Sequence, residues 1–336
     1  LPEALLLSPP GMKKEWKRNL SIIIPHYNTP DLLEKLIRSI PADKEIQIVV
    51  VDDNSSAELD KLGRVRAEYG QNVEFYVNDS HVKGAGACRN IGLKHADGKW
   101  LLFADADDFY VEGMYDTVSA YFESDYDEVF FTPTSIYLDS GKPCNRHEAY
   151  EKRINQYLAE PSRENLLRIK LATNAPWACM IRHSVVRRNN ICFDEVLFFN
   201  DIMFMTRTGY HSGKVKVSQE TIYCVTKSKG SLTTHIEWDA YEIRLKEFLK
   251  VCRYIKKKYP KEDFKKLDCT GLGMICMAVR QHYGLRKYLY IINRFFQSRI
   301  PLFFWRQLNV DLLKKWADNR SHRKLDSNYY VKQSVK

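Results

Sequence analysis

The strongest constraint on this chain is a rhythm that runs from Leu20 to Asp108. "LSIIIPHYN" (Leu20 to Asn28) is a β-branched run closed by Pro25, and "EIQIVVVDDNSS", "VEFYVND" and "KWLLFADADD" follow as apolar runs that each stop in acidic or turn residues. Between them lie stretches with helical spacing. "TPDLLEKLIRSI" sets Thr29 as N-cap and Pro30 at the first helical position, with Leu32, Leu33, Leu36, Ile37 and Ile40 on one face. "ELDKLGRVRAEYG" reads as a helix, and "GAGACRNIGLKHADG" as a helix opened by glycine. Strands that are apolar at nearly every position are buried on both faces. Strand and helix alternating four times predict an α/β fold, a mostly parallel sheet flanked by helices.

Sheets of this kind take ligands beyond the carboxyl ends of their strands. Pro25 to Asn28, Asp52 to Asn54 and Asp105 to Asp108 all fall there. After about residue 135 the pattern is mixed: "DEVFFTPTSIYL" (Asp127 to Leu138) reads as a strand, "SRENLLRIKL" as a helix, and "VKVSQETIYCVTK" as one or two further strands. From Glu237 onward the reading is helical and basic.

Charge separates the two ends. The chain carries a formal +10, yet Tyr241 to Lys336 hold 23 Lys and Arg against 8 Asp and Glu, leaving 29 against 34 for residues 1 to 240. Within that basic end, "RKYLYIINRFFQSRIPLFFWRQL" (Arg286 to Leu308) interleaves aromatic and aliphatic residues with Arg294, Arg299 and Arg306, a pattern suited either to a helix lying on a lipid surface or to a helical bundle with a solvated basic face. No nucleic-acid recognition motif accompanies the charge. No uncharged apolar run reaches the roughly 18 residues that span a bilayer. The opening "LPEALLLSPPGMKKEWKRN" is too short in its apolar part and too Pro-bounded for a signal peptide, and its lack of an initiator Met suggests a trimmed start. Eight cysteines without a C-x-x-C pair fit neither a zinc site nor a disulfide framework, so a reducing compartment is expected.

The chemistry concentrates in "ADADD". Asp105 and Asp107 flank a small residue, so both carboxylates can converge on a hard divalent cation while Ala106 leaves room for a ligand. A D-x-D alone is more often an acidic turn, and the surrounding motifs decide. "IIIPHYN", "VVVDDNSS" and "GAGACRNIGLKHADGKWLLFADADD" appear in that order at βα spacing. Together they resemble the nucleotide-sugar-binding half of the inverting glycosyltransferases of family 2, which have the GT-A (Rossmann-like) fold. The resemblance covers about residues 20 to 235, with Asn54 before Ser55 and Cys88 at a usual Ala as departures. "GAGACR" lacks the third glycine of a dinucleotide fingerprint, Arg89 standing there, and follows the third strand rather than the first.

The resemblance implies roles residue by residue. Pro25, Tyr27 and Asn28 would line the base and ribose pocket. Asp53, with Asp52 beside it, would accept from the nucleobase. Arg89 would approach the nucleotide, assisted by Lys83. Asp105 and Ala106 would meet the donor, and Asp105 and Asp107 would hold Mn²⁺ or Mg²⁺. In "ICFDEVLFFNDIMFMTRTGY" (Ile191 to Tyr210), Asp201 takes the place of the general base and Asn200 that of a preceding glutamate. Trp177 and Asn200 would face the acceptor. Lys227, Lys229 and His235 are candidates for the diphosphate, and His211 for a third metal ligand or a turn.

On this reading residues 1–19 are an N-terminal extension and 20–236 a glycosyltransferase domain, divided into a nucleotide-sugar half (20–135) and an acceptor half (136–236). Residues 237–336 form a basic helical region. The expected reaction moves a sugar, by default from a UDP-sugar, to a hydroxyl of a glycan or lipid-linked oligosaccharide. The expected location is cytoplasmic, with the basic end either peripheral on the anionic inner face of the membrane or packed on the catalytic domain, and with no nucleic-acid partner. Two rivals are a degenerate binding module, favoured by Asn200, and a sugar nucleotidyltransferase, disfavoured because "PHYNTPD" offers no glycine-rich phosphate loop.

Overall fold

The computed structural model of the chain describes residues 16–173, 175–228, 236–267 and 269–304. The chain divides into two compact units, Leu1–Val251 and Cys252–Lys336.

The first unit opens with the expected alternation. β1 (Arg18–His26), α1 (Pro30–Arg38), β2 (Ile46–Asp52), α2 (Leu59–Tyr69), β3 (Val73–Val77), α3 (Ala85–His95) and β4 (Gly98–Phe103) follow one another. They are succeeded by β5 (Phe109–Tyr110), α4 (Met114–Ser119), β6 (Glu128–Phe130), β7 (Thr134–Tyr137), α5 (Glu148–Ala159), α6 (Arg163–Ala172), β8 (Cys179–Arg182) and α7 (His183–Arg188). Then come α8 (Ile202–His211), β9 (Val215–Val217), β10 (Tyr223–Lys227) and α9 (Trp238–Lys258), within which the division between the units falls.

Seven strands form one sheet in the order β3-β2-β1-β4-β8-β6-β9, and β5-β10-β7 form a second. The first four of the large sheet are parallel, with His26 opposite Asp52 and Ile23 opposite Phe103. β8 then runs antiparallel to both β4 and β6. This is the GT-A arrangement, a mostly parallel sheet with helices on both faces.

Burial explains the unbroken apolar runs. Along β1, Leu20, Ile22 and Ile24 pack into one core with Leu33, Leu36 and Ile37 of α1 and Leu62 and Val65 of α2. Ile23 points into the other, with Cys88 and Ile91 of α3 and Phe204 and Met205 of α8. β2 and β4 split the same way, Val50 and Leu102 on one side and Val49, Val51 and Phe103 on the other. Both faces are dry, so nearly every position is apolar, and the exceptions Ser21 and Gln47 satisfy each other by a hydrogen bond of 2.6 Å. α3 lies so close to β1 that a Cβ at Gly92 would come within 2.4 Å of the Ile23 Cγ2.

Two local expectations change. "DEVFFTPTSIYL" is not one strand: β6 joins the large sheet and β7 the small one, with Pro133, which has no N–H for a ladder, between them. Thr29 does occupy the cap position of α1, but its hydroxyl makes no cap hydrogen bond. Its backbone N–H instead donates to His26 Nε2 at 3.2 Å.

In the second unit, α10 (Lys261–Lys266), α11 (Leu272–Arg280) and α12 (Leu285–Gln297) follow the end of α9. The N–H of Gly271 donates to the Pro301 carbonyl at 2.9 Å, and a Cβ there would meet Leu302 and Phe295 at 3.1 to 3.3 Å, so the chain closes tightly around this point. No helix among the described residues is long and apolar enough to cross a membrane.

Candidate active site

The carboxyl ends of β1, β2 and β4 open onto a cleft of about 350 Å³ lined by Pro25, His26, Tyr27, Thr29, Asp53, Ala85, Cys88, Asp105, Ala106 and Asp107. Its first wall is a hydrogen-bonded brace. His26 Nε2 accepts from Thr29, so its Nδ1 carries the proton and donates to Asp52 Oδ1 at 2.8 Å. Asp52 also accepts from the Ser55 hydroxyl at 2.6 Å and its N–H at 3.0 Å. Burial pushes the Asp52 carboxyl up, but these donors outweigh it and leave the group below its usual value. Asp52 therefore holds the loops after β1 and β2 together, with its oxygens already engaged.

Asn28 adds to the same brace. It takes a left-handed conformation (φ 55°), and its side-chain oxygen accepts from the N–H groups of Ser56 at 2.8 Å and Ala57 at 3.0 Å. Tyr27 is 45% exposed, and the Lys83 ammonium stands 4.9 Å from its ring. A hydrogen bond from Ser56 and the Lys83 charge lower the phenol's pKa. Asp53 Oδ1 accepts from Asn78 at 2.6 Å and Oδ2 from the Gly84 N–H at 2.8 Å, tying it to the end of β3 and the start of α3. Burial, with Asp53 nearby, pushes the Cys88 thiol up to about 12, so it stays a neutral wall of the cleft.

The acidic turn is held from behind by β10. The Asp105 N–H donates to the Tyr223 hydroxyl at 2.9 Å, and that hydroxyl donates to Asp108 Oδ2 at 2.9 Å. Asp108 Oδ1 accepts from the Thr226 N–H at 2.6 Å, and the Thr226 hydroxyl donates to the Asp107 carbonyl at 2.7 Å. Asp108, 3% exposed, is thus the anchor of the turn. Asp105 and Asp107 are left to face the cleft. Burial and the neighbouring Asp105 push Asp107 up to about 6, which marks a carboxylate short of positive charge.

Arg89 joins the two halves of the site. It is 4% exposed, donates from one nitrogen to Asp105 Oδ1 at 2.5 Å and from another to Asn200 Oδ1 at 2.8 Å, and lies 5.3 Å from the Phe193 ring. Its two terminal nitrogens are engaged by these partners, while its Nε, buried, has no hydrogen-bond partner among the described residues. Asn90 beside it exchanges hydrogen bonds with the Phe193 backbone at 2.8 and 3.0 Å and reaches Glu195 at 3.1 Å. Gly86 lets this segment approach, since a Cβ would sit 2.2 Å from the Asp194 carbonyl. α9 secures the other side: Lys250 bonds Asp194 at 2.5 Å, and the Arg244 guanidinium lies 4.1 Å from the Phe198 ring.

Asp201 follows at the start of α8, where its side chain makes no cap hydrogen bond. Burial raises its carboxyl to about 6; Arg89 opposes the rise and Asp105 adds to it. A buried carboxylate within the electrostatic reach of a second carboxylate and a guanidinium, its pKa raised to about 6, can take a proton near neutral pH.

Other expected residues sit elsewhere. Trp177 is only 5% exposed, stacks on Tyr223 at 5.9 Å and packs against Tyr150 at 4.6 Å, so most of its surface lies in the core behind the acidic turn. Asn200 is turned to Arg89. His211 ends α8 with its ring edge-on to Tyr210. Lys227 lies 5.4 Å from the Tyr137 ring. Lys229 and His235 lie outside the described residues. His26, Asn78, Asn90, Tyr223 and Thr226 were not foreseen; the available signal was a polar group inside or ending an apolar strand, which burial obliges to find a partner.

Among the described residues, no three His, Cys, Asp or Glu side chains gather as a complete metal cage. Two hard carboxylates, one short of positive charge, do fit a cation whose remaining ligands come from a diphosphate.

Comparison with known proteins bears on family and fold. The uncharacterized glycosyltransferase YibD of Escherichia coli is 26% identical over 211 residues, 61% of this chain and 60% of that protein. EpsJ of Bacillus subtilis, also described as an uncharacterized glycosyltransferase, is 24% identical over 221 residues, 64% of this chain and 62% of its own. The chain therefore spans less than two thirds of either relative. The crystal structure of Staphylococcus aureus TarS 1-349 in complex with UDP-GlcNAc superposes with a TM-score of 0.64 at 19% identity, covering 83% of this chain and 80% of that one, a likeness of fold. The model of one family, Glycosyl transferase family 2, matches residues 21–189, from the first buried strand to the end of α7. By that match across half its length, the chain belongs to glycosyl transferase family 2.

Proposed function

We propose that this protein transfers a sugar from a nucleoside diphosphate sugar to a hydroxyl of a glycan or lipid-linked acceptor, with inversion at the anomeric carbon. The observation that carries the reading is the meeting of Asp105, Arg89 and Asp201 at one end of the parallel sheet.

The acceptor hydroxyl is a weak nucleophile until a base takes its proton as the C–O bond forms. Asp201 has the proton affinity for that task. As the anomeric carbon bonds to the acceptor oxygen, the bond to the diphosphate oxygen breaks, its electron pair leaving with the diphosphate and the proton passing to Asp201. Asp105 and Asp107 would hold Mn²⁺ or Mg²⁺, which when bound neutralises charge on the leaving diphosphate. Asp53, Tyr27 and Pro25 line the part of the cleft suited to a nucleoside, the tyrosine supplying an exposed ring for stacking. Uridine is the base adopted, supported by the UDP-GlcNAc bound by TarS, a neighbour in fold.

Asn200 departs from the glutamate of the family pattern, yet it is held within the same constellation by Arg89. A glutamate there would add a third carboxylate beside Asp105 and Asp201; the amide instead gives Arg89 a neutral acceptor at 2.8 Å, leaving the guanidinium charge to act on the two aspartates.

The test is thermal unfolding with Mn²⁺ and a panel of nucleoside diphosphates, paired with release of diphosphate from UDP-sugars. UDP with Mn²⁺ should raise the melting temperature of the parent and not of Asp107→Ala. Absence of a shift with every nucleotide would remove the donor site.

A further inference from the structure

The second unit carries an apolar seam that no described residue covers. In α12, Ile291 and Phe295 are fully buried, while Leu285, Leu289, Ile292 and Phe296 are 72%, 58%, 42% and 81% exposed. The exposed four are spaced four, three and four residues apart, which at about 100° per residue places them within an arc of roughly 60°. The buried pair borders that arc on one side, and exposed Arg286, Asn293 and Gln297 border it on the other. The helix therefore has two apolar stripes, one satisfied by its own unit and one facing outward. Isolated exposed apolar residues need no explanation, but a continuous row of four large ones does.

Charge indicates what covers it. From Cys252 to Phe304 the sequence carries 12 Lys and Arg against 3 Asp and Glu. Two copies of this unit would meet with like net charge, which opposes self-association. An anionic bilayer satisfies both features, taking the leucine, isoleucine and phenylalanine side chains into its acyl boundary while lysine and arginine heads stay among the phosphates. At the C-terminal end of the seam, Phe296, Gln297, Arg299, Ile300 and Pro301 line an open depression of about 670 Å³, placing a guanidinium beside an apolar wall where headgroup and chain would meet.

We propose that the seam formed by Leu285, Leu289, Ile292 and Phe296 seats the second unit on an anionic lipid surface. The helix lies along the interface. This contact is independent of sugar transfer.

Flotation of the full chain with phosphatidylcholine vesicles, with and without phosphatidylglycerol, tests the proposal without any nucleotide present. The parent should float with the anionic vesicles and remain below with neutral ones. The Leu289→Asp, Phe296→Asp double variant should lose on the order of tenfold or more in partitioning, from the loss of two apolar side chains that would enter the bilayer and the addition of two negative charges. Its thermal melt should match the parent, because both positions are exposed; Phe296→Ser alone, at the most exposed position, provides the same comparison should the double variant fail to fold. Equal flotation of parent and variants, equal recovery on neutral and anionic vesicles, or no flotation at all would each overturn the proposal. Concentration-dependent dimerisation abolished by the variants, without flotation, would assign the seam to a second copy and overturn it too.

Discussion

Asp201 makes the sharpest demands at the scale of single residues. Its folded carboxyl, raised to about 6 by burial, is protonated below that value and cannot accept the acceptor's proton there. The rate should therefore climb as pH rises through about 6 and level off above it, a limb that kcat/KM measured against pH would display. Asp201→Asn should lower kcat by about 10²- to 10⁴-fold with donor binding intact. A variant that keeps the parent's rate would deny Asp201 its role. Glu128 makes a different demand. It is fully buried, and neither carboxylate oxygen has a hydrogen-bond partner among the described residues. The hydroxyls of Thr208 and Ser212 nearby donate instead to the carbonyls of Met205 and Thr208. Burial raises Glu128 from its ordinary 4.5 to about 7. The folded state then binds this proton more tightly than the unfolded chain, so stability falls as pH rises from about 4.5 to about 7 and is flat above. Glu128→Gln should remove that slope and gain at most about 3 kcal/mol at pH 8, read by chemical denaturation across pH. Parallel pH profiles for parent and variant would show that Glu128 does not contribute the slope.

At the scale of elements, α3 and β10 decide whether the site exists. Replacing glycine by alanine in a helix interior ordinarily gains up to about 1 kcal/mol. At Gly92 the added methyl would stand 2.4 Å from the Ile23 Cγ2, and overpacking of that kind costs about 1–3 kcal/mol, so Gly92→Ala should lower the melting temperature. An unchanged or raised melting temperature would show that α3 can lift from β1. Tyr223→Phe deletes the hydroxyl that serves both the Asp105 N–H and Asp108; a loss of about 1–3 kcal/mol should appear in chemical denaturation, with weaker Mn²⁺-dependent nucleotide binding alongside. The same elements show what the sequence can and cannot convey. β1, β2 and β4 were legible because both of their faces are dry, which writes the strand as an unbroken apolar run. β8 was not: four residues give no period, and its antiparallel place between β4 and β6 is set by the tertiary fold. Asp105, Asp107, Arg89 and Asp201 were legible as motif positions. The brace of His26 on Asp52 depends on two strands coming into register, and the burial of Trp177 on its stacking against Tyr223, neither of which local spacing reveals.

At the scale of the whole molecule, the chain's basic and acidic portions call for different measurements. Nucleotide protection reports on the first unit and vesicle flotation on the second, so each can fail alone. A chain carrying both Asp201→Asn and the Leu289→Asp, Phe296→Asp pair should show the losses of the separate variants without mutual enhancement; marked non-additivity in donor turnover measured without lipid would show that the units are energetically coupled.

The clasp on the acidic turn also has a consequence in time. Asp105 and Asp108 are joined to Tyr223 and Thr226 across 118 and 115 to 118 residues of chain. During synthesis, the parallel strands and the aspartates leave the ribosome long before the strand that shapes their turn. The donor pocket is therefore a late product of folding, and amide protection in a refolding pulse-labelling experiment should reach Ile23 and Val49 before Asp105 and Thr226.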